Sequence, residues 1–230
     1  MKIGILGYGK MGKSIEKIAL TRNHEIVFKI NTSNLKSFDN KTLNKADVVI
    51  EFSNPKSALK NIQKCINAKI CVVSGTTGWD KELKKTFQYC INNDGTLVFD
   101  KNFSLGAQIM FKLNEYLSSL MNNNKDYNVS VNEIHHPQKK DKPSGTALKI
   151  INDIKIKTNS FNNYNRIKVN SKRIENIFGM HEIIYDSKID TISIKHNAKS
   201  RMGFAEGAVI AAEWVIGKKG VYSMKDVIFN

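Results

Sequence analysis

A glycine triplet in the run Gly7-Tyr8-Gly9-Lys10-Met11-Gly12 constrains the fold of this chain more than any other feature. It directly follows a short apolar run, Lys2–Leu6. It opens a segment in which Met11, Ile15, Ile18 and Ala19 recur at helical spacing, and a second strand-like run, Glu25–Ile30, comes next. Strand, Gly-x-Gly-x-x-Gly, helix and strand in that order describe a dinucleotide-binding βαβ unit. Gly7 permits the tight turn, Gly9 lets a pyrophosphate approach the backbone, and Gly12 permits close packing of helix on strand. The helix start offers free N–H groups and a partial positive charge to the phosphates. Tyr8, Lys10 and Met11 share that loop and are expected beside the cofactor.

The alternation continues. Ala46–Phe52 reads as a buried strand rich in Val and Ile. Asn54-Pro55 starts a helix, with Asn as cap and Pro in the first turn. Ala58, Leu59, Ile62 and Ile66 mark its apolar stripe. Ile70–Ser74 reads as a fourth strand, Lys81–Cys90 as a polar-faced helix and Thr96–Phe99 as a fifth strand. Strands alternating with helices imply an α/β fold with a Rossmann-type, doubly wound parallel sheet. Ligands of such sheets bind outside the carboxyl ends of the strands. Phe52-Ser53 and Gly75-Thr76-Thr77-Gly78 are therefore in position to line the nicotinamide or the substrate. At the end of the second strand, where NAD-selective folds place Asp or Glu, this chain has Asn31. An amide still bonds ribose and does not repel a 2′-phosphate, and Lys10, Lys29 and Lys36 are candidate cations nearby. NADPH and NADH are both expected cofactors, with a modest preference for NADPH.

The pattern changes after Phe103. A long helix over Ala107–Met121 precedes a strand with period-two alternation at Tyr127, Val129 and Val131. A helix follows Ser144, and alternating strands come at His181–Asp186 and Asp190–His196. This is an α+β section with antiparallel character. The Asn-rich stretches 122–124 and 159–165 read as turns or loops. From Arg201 a helix rich in small residues (Ala205, Ala208, Ala211, Ala212) ends near Gly217, and a short terminal segment follows.

The formal charge of +15 raises the question of nucleic acid. The lysines are scattered through nearly every helix, with no helix-turn-helix, zinc or RNP-type signature and no aromatic residues interleaved with the cations. A solvated basic surface that suits anionic small molecules is the expectation, without nucleic-acid recognition. No run approaches the roughly 18 apolar residues of a membrane span, and a charged residue follows Met1 at once, so a cytoplasmic protein without membrane partners is expected. Cys65, Cys71 and Cys90 have no metal-ligand spacing and read as reduced and mostly buried, with no bound metal.

Chemistry concentrates between Glu133 and Ala147. His135-His136 ends an alternating strand, where adjacent residues point to opposite faces. One histidine therefore meets a reacting centre, and the other orients it or binds a substrate carboxylate. His donates protons near neutral pH. Lys139 adds a cation or second donor. Ser144-Gly145-Thr146 at the next helix start offers hydroxyls and N–H groups to a carboxylate. Together these suit protonation of a carbanion-like centre on an acidic substrate.

These residues carry a resemblance. The family signature E-x-H-H-x-x-K-x-D-x-P-S-G-T-A of the 4-hydroxy-tetrahydrodipicolinate (dihydrodipicolinate) reductases is similar to Glu133–Ala147 here. The likeness extends through the first glycine loop, Glu51-Phe52-Ser53 with Pro55, Gly75–Gly78, Asn102-Phe103-Ser104 with Gly106, and Ser200-Arg201-Met202 with Phe204 to Ala208. It implies a Rossmann domain of residues 1–103 and 201–230, and a substrate-binding and oligomerisation domain of residues 104–200 in a homotetramer. It implies NAD(P)H-dependent reduction of a small cyclic dicarboxylate in diaminopimelate and lysine biosynthesis. His135 would be the proton donor with Lys139 as its partner, and His136, Ser144, Gly145 and Thr146 would be substrate ligands. Gly75, Thr76, Thr77, Asn102, Phe103, Arg201 and Phe204 match cofactor-side or domain-junction positions. Asp100-Lys101 replaces the small or Pro-containing residues usual before Asn102. The stretch between Gly179 and Asp190 is shorter than in many members, which trims a loop expected to support subunit contacts. The rival readings are another two-domain NAD(P)-dependent dehydrogenase of amino-acid metabolism and a nucleotide-sensing protein without chemistry.

Overall fold

Strand β1 (Lys2–Leu6) lies one strand in from an edge of the first sheet. The computed structural model describes residues 1–158 and 167–230, so the Asn-rich stretch 159–165 lies outside the described residues. The chain divides into two units, Met1–Leu105 with Arg201–Asn230, and Gly106–Ser200. In the first unit β1 pairs in parallel with β2 (Glu25–Ile30) on one side and β3 (Val48–Glu51) on the other. Beyond β3 come β4 (Cys71–Ser74), β5 (Thr96–Phe99) and the last strand of the chain, β10 (Gly220–Tyr222), again all parallel. The order is β10-β5-β4-β3-β1-β2.

Alternation within each strand splits its apolar side chains between two cores. Ile3, Ile5, Val48, Ile50, Val73 and Val98 face α1 (Lys10–Thr21), α7 (Met202–Val215) and α8 (Met224–Phe229). Leu6, Val49, Val72 and Leu97 face α2 (Asn40–Leu43), α3 (Pro55–Asn67) and α4 (Leu83–Asn92). Helices on both faces make the sheet doubly wound. Asn54 caps α3, its side chain accepting from Lys56 N–H, and Pro55 stands in the first turn. The polar-faced helix read at Lys81–Cys90 begins later, because Asp80–Glu82 forms a 3₁₀ turn ahead of it. Small residues let α7 lie close: a Cβ on Gly207 would stand 1.8 Å from the Phe103 carbonyl oxygen.

In the second unit, α5 (Leu105–Met121) and α6 (Gly145–Lys157) pack on one face of a four-stranded sheet ordered β7-β6-β8-β9. Its strands are β6 (Asn128–His135), β7 (Lys168–Arg173), β8 (Gly179–Asp186) and β9 (Thr191–Ala198). β8 pairs antiparallel with both β6 and β9. The antiparallel character read from the sequence needs one correction: β7, which has no apolar alternation to reveal it, pairs in parallel with β6. The path β6-α6-β7 is thus a crossover, and it returns the chain beside the strand that carries His135.

Gly207→Ala is expected to destabilise the first unit by about 2–3 kcal/mol, the scale of an overpacked core. The midpoint of urea unfolding should fall at unchanged slope. An unchanged midpoint would show that α7 shifts freely on the sheet.

Candidate active site

The first cluster lies where β1 and β3 diverge towards opposite edges, the switch point at which open α/β sheets bind ligands. A cleft of about 470 Å³ opens there, lined among others by Gly7, Tyr8, Gly9, Asn31, Phe52 and Ser53. Gly7 has φ +93°, and a Cβ on it would stand 2.0 Å from the Phe52 carbonyl oxygen, so only glycine fits. Gly9 is the N-cap of α1, and a Cβ there would meet nothing within 4 Å among the described residues. Its backbone is open to a phosphate, and it brings no side chain to the first helical N–H groups. At Gly12 a Cβ would lie 2.5 Å from the Gly7 carbonyl oxygen, which explains the close seating of α1. These features fit a dinucleotide.

The walls are tied down by hydrogen bonds. Ser53 N–H donates to Thr76 Oγ1 at 2.8 Å, joining the ends of β3 and β4. Glu51, fully buried, accepts from Ser74 Oγ at 2.7 Å, Ser53 N at 3.2 Å and Asn61 Nδ2 at 3.4 Å. Asn31 Oδ1 accepts from Ser33 N and Ser33 Oγ, at 2.9 and 2.6 Å. That leaves Nδ2, a donor, as the end available to a ligand. Lys29 pairs with Glu16 at 3.0 Å, and Tyr8 donates its hydroxyl to the same carboxylate. Lys10, Lys29 and Lys36 do not line the cleft, so the cations expected near a 2′-phosphate are set back from it.

Of the other expected cofactor residues, Phe103 is buried edge-to-face on Phe52, with ring centroids 5.4 Å apart. A Cβ on Gly75 would strike the Phe52 ring at 2.2 Å. Asn102 turns the chain after β5 by accepting from Ser104 N. Asp100 explains its own departure from the usual residue: it accepts from Asn102 N and from Met224 N at the start of α8. Thr77 is exposed, Arg201 caps α7 and Phe204 lies in its first turn. Met11, Gly12, Gly75, Thr76, Thr77, Asn102, Phe103, Arg201 and Phe204 lie outside the cleft lining.

The second cluster is built on β6. Val129, Val131, Glu133 and His135 face the helices, so an apolar face ends in two polar side chains. His136 follows on the other side, half-buried, with Nδ1 3.0 Å from Gln138 Oε1. Register sets His181 of β8 opposite Glu133 and Arg173 of β7 opposite His135. Glu133 accepts twice from Ser144 N–H, at 3.0 and 3.2 Å. It stands 3.5 Å from Arg173, 3.7 Å from His135 Nδ1 and 3.8 Å from His181 Nε2. Ser144 caps α6, its Oγ accepting from Ala147 N. Lys139 pairs with Asp141 at 2.9 Å, and the other oxygen of Asp141 accepts from Gly145 N–H at 3.2 Å. Thr146 follows in the first turn of α6. Arg173 donates to the carbonyls of Lys139 and Asp141 and so holds their loop.

Burial lowers the pKa of His135, with Lys139 and Arg173 adding to the fall and the Glu133 and Asp141 charges opposing it. Burial pushes His181 down to about 3. Burial opposes ionisation of Glu133, yet the hydrogen bonds from Ser144 and Ser171 outweigh it and hold the carboxyl below its usual range. Glu133, His135 and His181 are metal-ligand types with donor atoms within 4.8 Å of one another. The Glu133 oxygens, however, already serve Ser144 N–H and the Arg173 guanidinium.

Two family models cover almost the whole chain: "Dihydrodipicolinate reductase, N-terminus" over residues 1–103, and "Dihydrodipicolinate reductase, C-terminus" over residues 106–228. The chain belongs to the dihydrodipicolinate reductase family. A 4-hydroxy-tetrahydrodipicolinate reductase from Christiangramia forsetii is 44% identical over 237 residues, spanning 99% of this chain and 98% of that one. One from Methanoregula boonei is 33% identical, over 80% of this chain and 75% of its own. Among solved structures, a dipicolinate-bound dihydrodipicolinate reductase from Paenisporosarcina sp. TG-14 superposes with a TM-score of 0.83 at 21% identity. It covers 100% of this chain and 99% of its own, a likeness of fold. Among the described residues no helix is long and apolar enough to cross a membrane.

Relative to the reductase residues expected from the sequence, the structure adds the cleft residues Ile30, Thr32, Ser33, Leu35, Ser57 and Asn61. In the second unit it adds Glu133, Arg173 and His181. Glu133 was legible only as the first letter of the signature. Arg173 and His181 lie far from the signature in sequence, and only strand register brings them to it.

A histidine with a depressed folded pKa contributes stability that is complete above its unfolded pKa of ~6.5 and is lost as pH falls towards the folded value. His181, His135 and His196 are all shifted this way. Thermal stability should be level above ~pH 6.5 and decline from there towards pH 3. His181→Gln should make the decline shallower in a pH series of unfolding curves. Parallel declines in both forms would exclude His181 as a source.

Proposed function

We propose that this chain reduces dihydrodipicolinate, formed from 4-hydroxy-tetrahydrodipicolinate by loss of water, to tetrahydrodipicolinate with NADPH or NADH, in diaminopimelate and lysine biosynthesis. The observation that carries this reading is the carboxylate of Asp141, held between Lys139 Nζ and Gly145 N–H. That pair of donors is equipped to hold a carboxylate of a small dicarboxylate substrate, beside the buried His135. The family relatives that share this name, matched along nearly the full chain, support the same substrate class.

When bound, the nicotinamide supplies a hydride to C4 of the substrate's unsaturated ring. His135 then delivers one proton to the adjacent carbon, so hydride and proton together saturate one double bond. Lys139 holds a substrate carboxylate and offsets charge as the proton leaves. Ser144, Gly145, Thr146 and His136 orient the carboxylates through hydroxyl, N–H and imidazole donors. Positioned acid catalysis of this kind contributes ~10²–10⁴-fold. Gly7–Gly12, with Asn31, Phe52 and Ser53, holds the dinucleotide. Gly75, Thr76, Thr77, Asn102, Phe103, Arg201 and Phe204 belong to the cofactor side in this reading. The first unit is the nucleotide domain, and the second is the substrate domain that makes the subunit contacts of a cytoplasmic homotetramer. Helices cover one face of the second sheet, while Ser130, Asn132 and Ile134 on the other stay half-buried, a surface suited to such contacts.

The test is loss of NAD(P)H absorbance with dihydrodipicolinate generated by its synthase. His135→Ala and Lys139→Ala should each lower kcat by ~10²-fold or more, with cofactor affinity little changed. Near-normal turnover in both variants would overturn the donor assignment.

Cofactor choice is a separate expectation. Asn31→Asp keeps the acceptor that Ser33 uses and replaces the Nδ2 donor with a charged acceptor. It should shift the kcat/KM ratio towards NADH by ~1–2 kcal/mol, the scale of one charge-assisted hydrogen bond. Wild type is expected to use both cofactors, with an NADPH preference that shrinks as salt rises. An unchanged ratio in the variant would show that position 31 does not discriminate.

A further inference from the structure

Glu133 is a fully buried carboxylate to which the mechanism assigns no part. It is costly to bury a charge unless its oxygens are met by donors. Here the donors belong to the proposed site. Both oxygens accept from Ser144 N–H, the cap residue of the helix start that offers Gly145 and Thr146 to the substrate. One oxygen faces Nδ1 of His135 at 3.7 Å. That nitrogen is buried and has no hydrogen-bond partner among the described residues.

We propose that Glu133 is the positioning residue of this site, its one carboxylate holding the α6 start in place while orienting His135 and setting that residue's protonation. The inference rests on the reading of His135 as proton donor. A carboxylate facing Nδ1 favours the neutral tautomer with its proton on Nδ1. Nε2 is then the atom that gives up a proton to substrate and regains it from solvent. The same charge stabilises the imidazolium that must exist before each transfer. At 3.7 Å the contact is electrostatic rather than a hydrogen bond, and catalytic hydrogen bonds tighten once substrate is bound.

The other groups around His135 set the sign of what Glu133 must do. Arg173 on β7 and Lys139 in the loop disfavour the imidazolium, as burial does, and Asp141 opposes them. His181 on β8 lies ring to ring with His135, centroids 4.9 Å apart, and His196 on β9 is among the charges that act on His181. His181 stays neutral and turns Nε2 to Ser144 Oγ at 3.1 Å. Glu133 is therefore the nearest charge that holds a proton on His135 against burial and two cations.

The variants Glu133→Gln and Glu133→Asp separate these roles from mere packing. Gln keeps an oxygen for Ser144 N–H but turns an amide donor or a neutral oxygen to His135. In ¹⁵N-histidine NMR of the free protein, Glu133→Gln should lower the His135 pKa by about one unit and move its neutral form towards the Nε2–H tautomer. With substrate, kcat should fall ~10-fold or more while KM changes little. Glu133→Asp, which keeps the charge further back, should shift the pKa less and restore part of kcat. If Glu133→Gln does not fold, the pKa shift and partial kcat of Glu133→Asp decide. Unaltered His135 titration and tautomer in the folded variants would overturn the proposal, whatever happens to the rate. A His135 response in protein that never reduces dihydrodipicolinate would uphold the positioning and overturn the functional reading instead.

Discussion

A carboxylate taken out of water must be met by donors, and at Glu133 this requirement organises the second unit's site. The groups that meet it come from four places in the chain: Ser144 donates its N–H from the start of α6, and Arg173 on β7, His181 on β8 and His135 on its own strand stand within ion-pair distance. Each depends on the others for its position. Arg173 reaches Glu133 because β7 pairs in parallel with β6, and from there it also holds the carbonyls of Lys139 and Asp141. Removing one donor from such a buried network leaves a charge uncompensated, which is why the group behaves as a unit. The first unit repeats the device. Glu51 ends β3 fully buried and gathers Ser53, Ser74 and Asn61, which brace the cleft wall.

How much of this was legible beforehand depended on the range of the interaction that decides each feature. The strands β1, β2 and β5 follow from short apolar runs that stop at Gly7, Asn31 and Asp100, and the pattern alone gives their observed bounds. Gly12 is legible because its constraint is local to the turn, and Gly7 because its positive φ is, although its close approach to Phe52 is not. β7 was not, since Lys168–Arg173 carries polar residues and is ordered by its partner strand. β10 has only Gly-Val-Tyr and gains its identity from β5. α8 carries a capping box, with Ser223 followed at the right spacing by Asp226, a local signal within the short terminal segment.

The site divides the same way. His135, Lys139 and Ser144–Thr146 stand within one short stretch, and their chemistry suffices to single them out. Which histidine is buried follows from the pleat, and β6 turns His135 inwards. That Lys29 is occupied by Glu16 depends on α1 and β2 being neighbours in space. The acceptor of Asn31 is likewise taken by Ser33 through a local turn that residue type alone does not announce.

The pairing of β10 with β5 also orders events in time. All strands and helices of the second unit lie within Leu105–Ser200, so a ribosome releases that unit whole while the first still lacks α7, β10 and α8. Until those arrive, β5 is an open edge, and the face that α7 will cover leaves Val48, Ile50, Val73 and Val98 without their partner. Exposed strand edges and apolar faces are what aggregation exploits. The nascent chain is thus most vulnerable in its first unit, and that vulnerability ends only when residues Arg201–Asn230 dock.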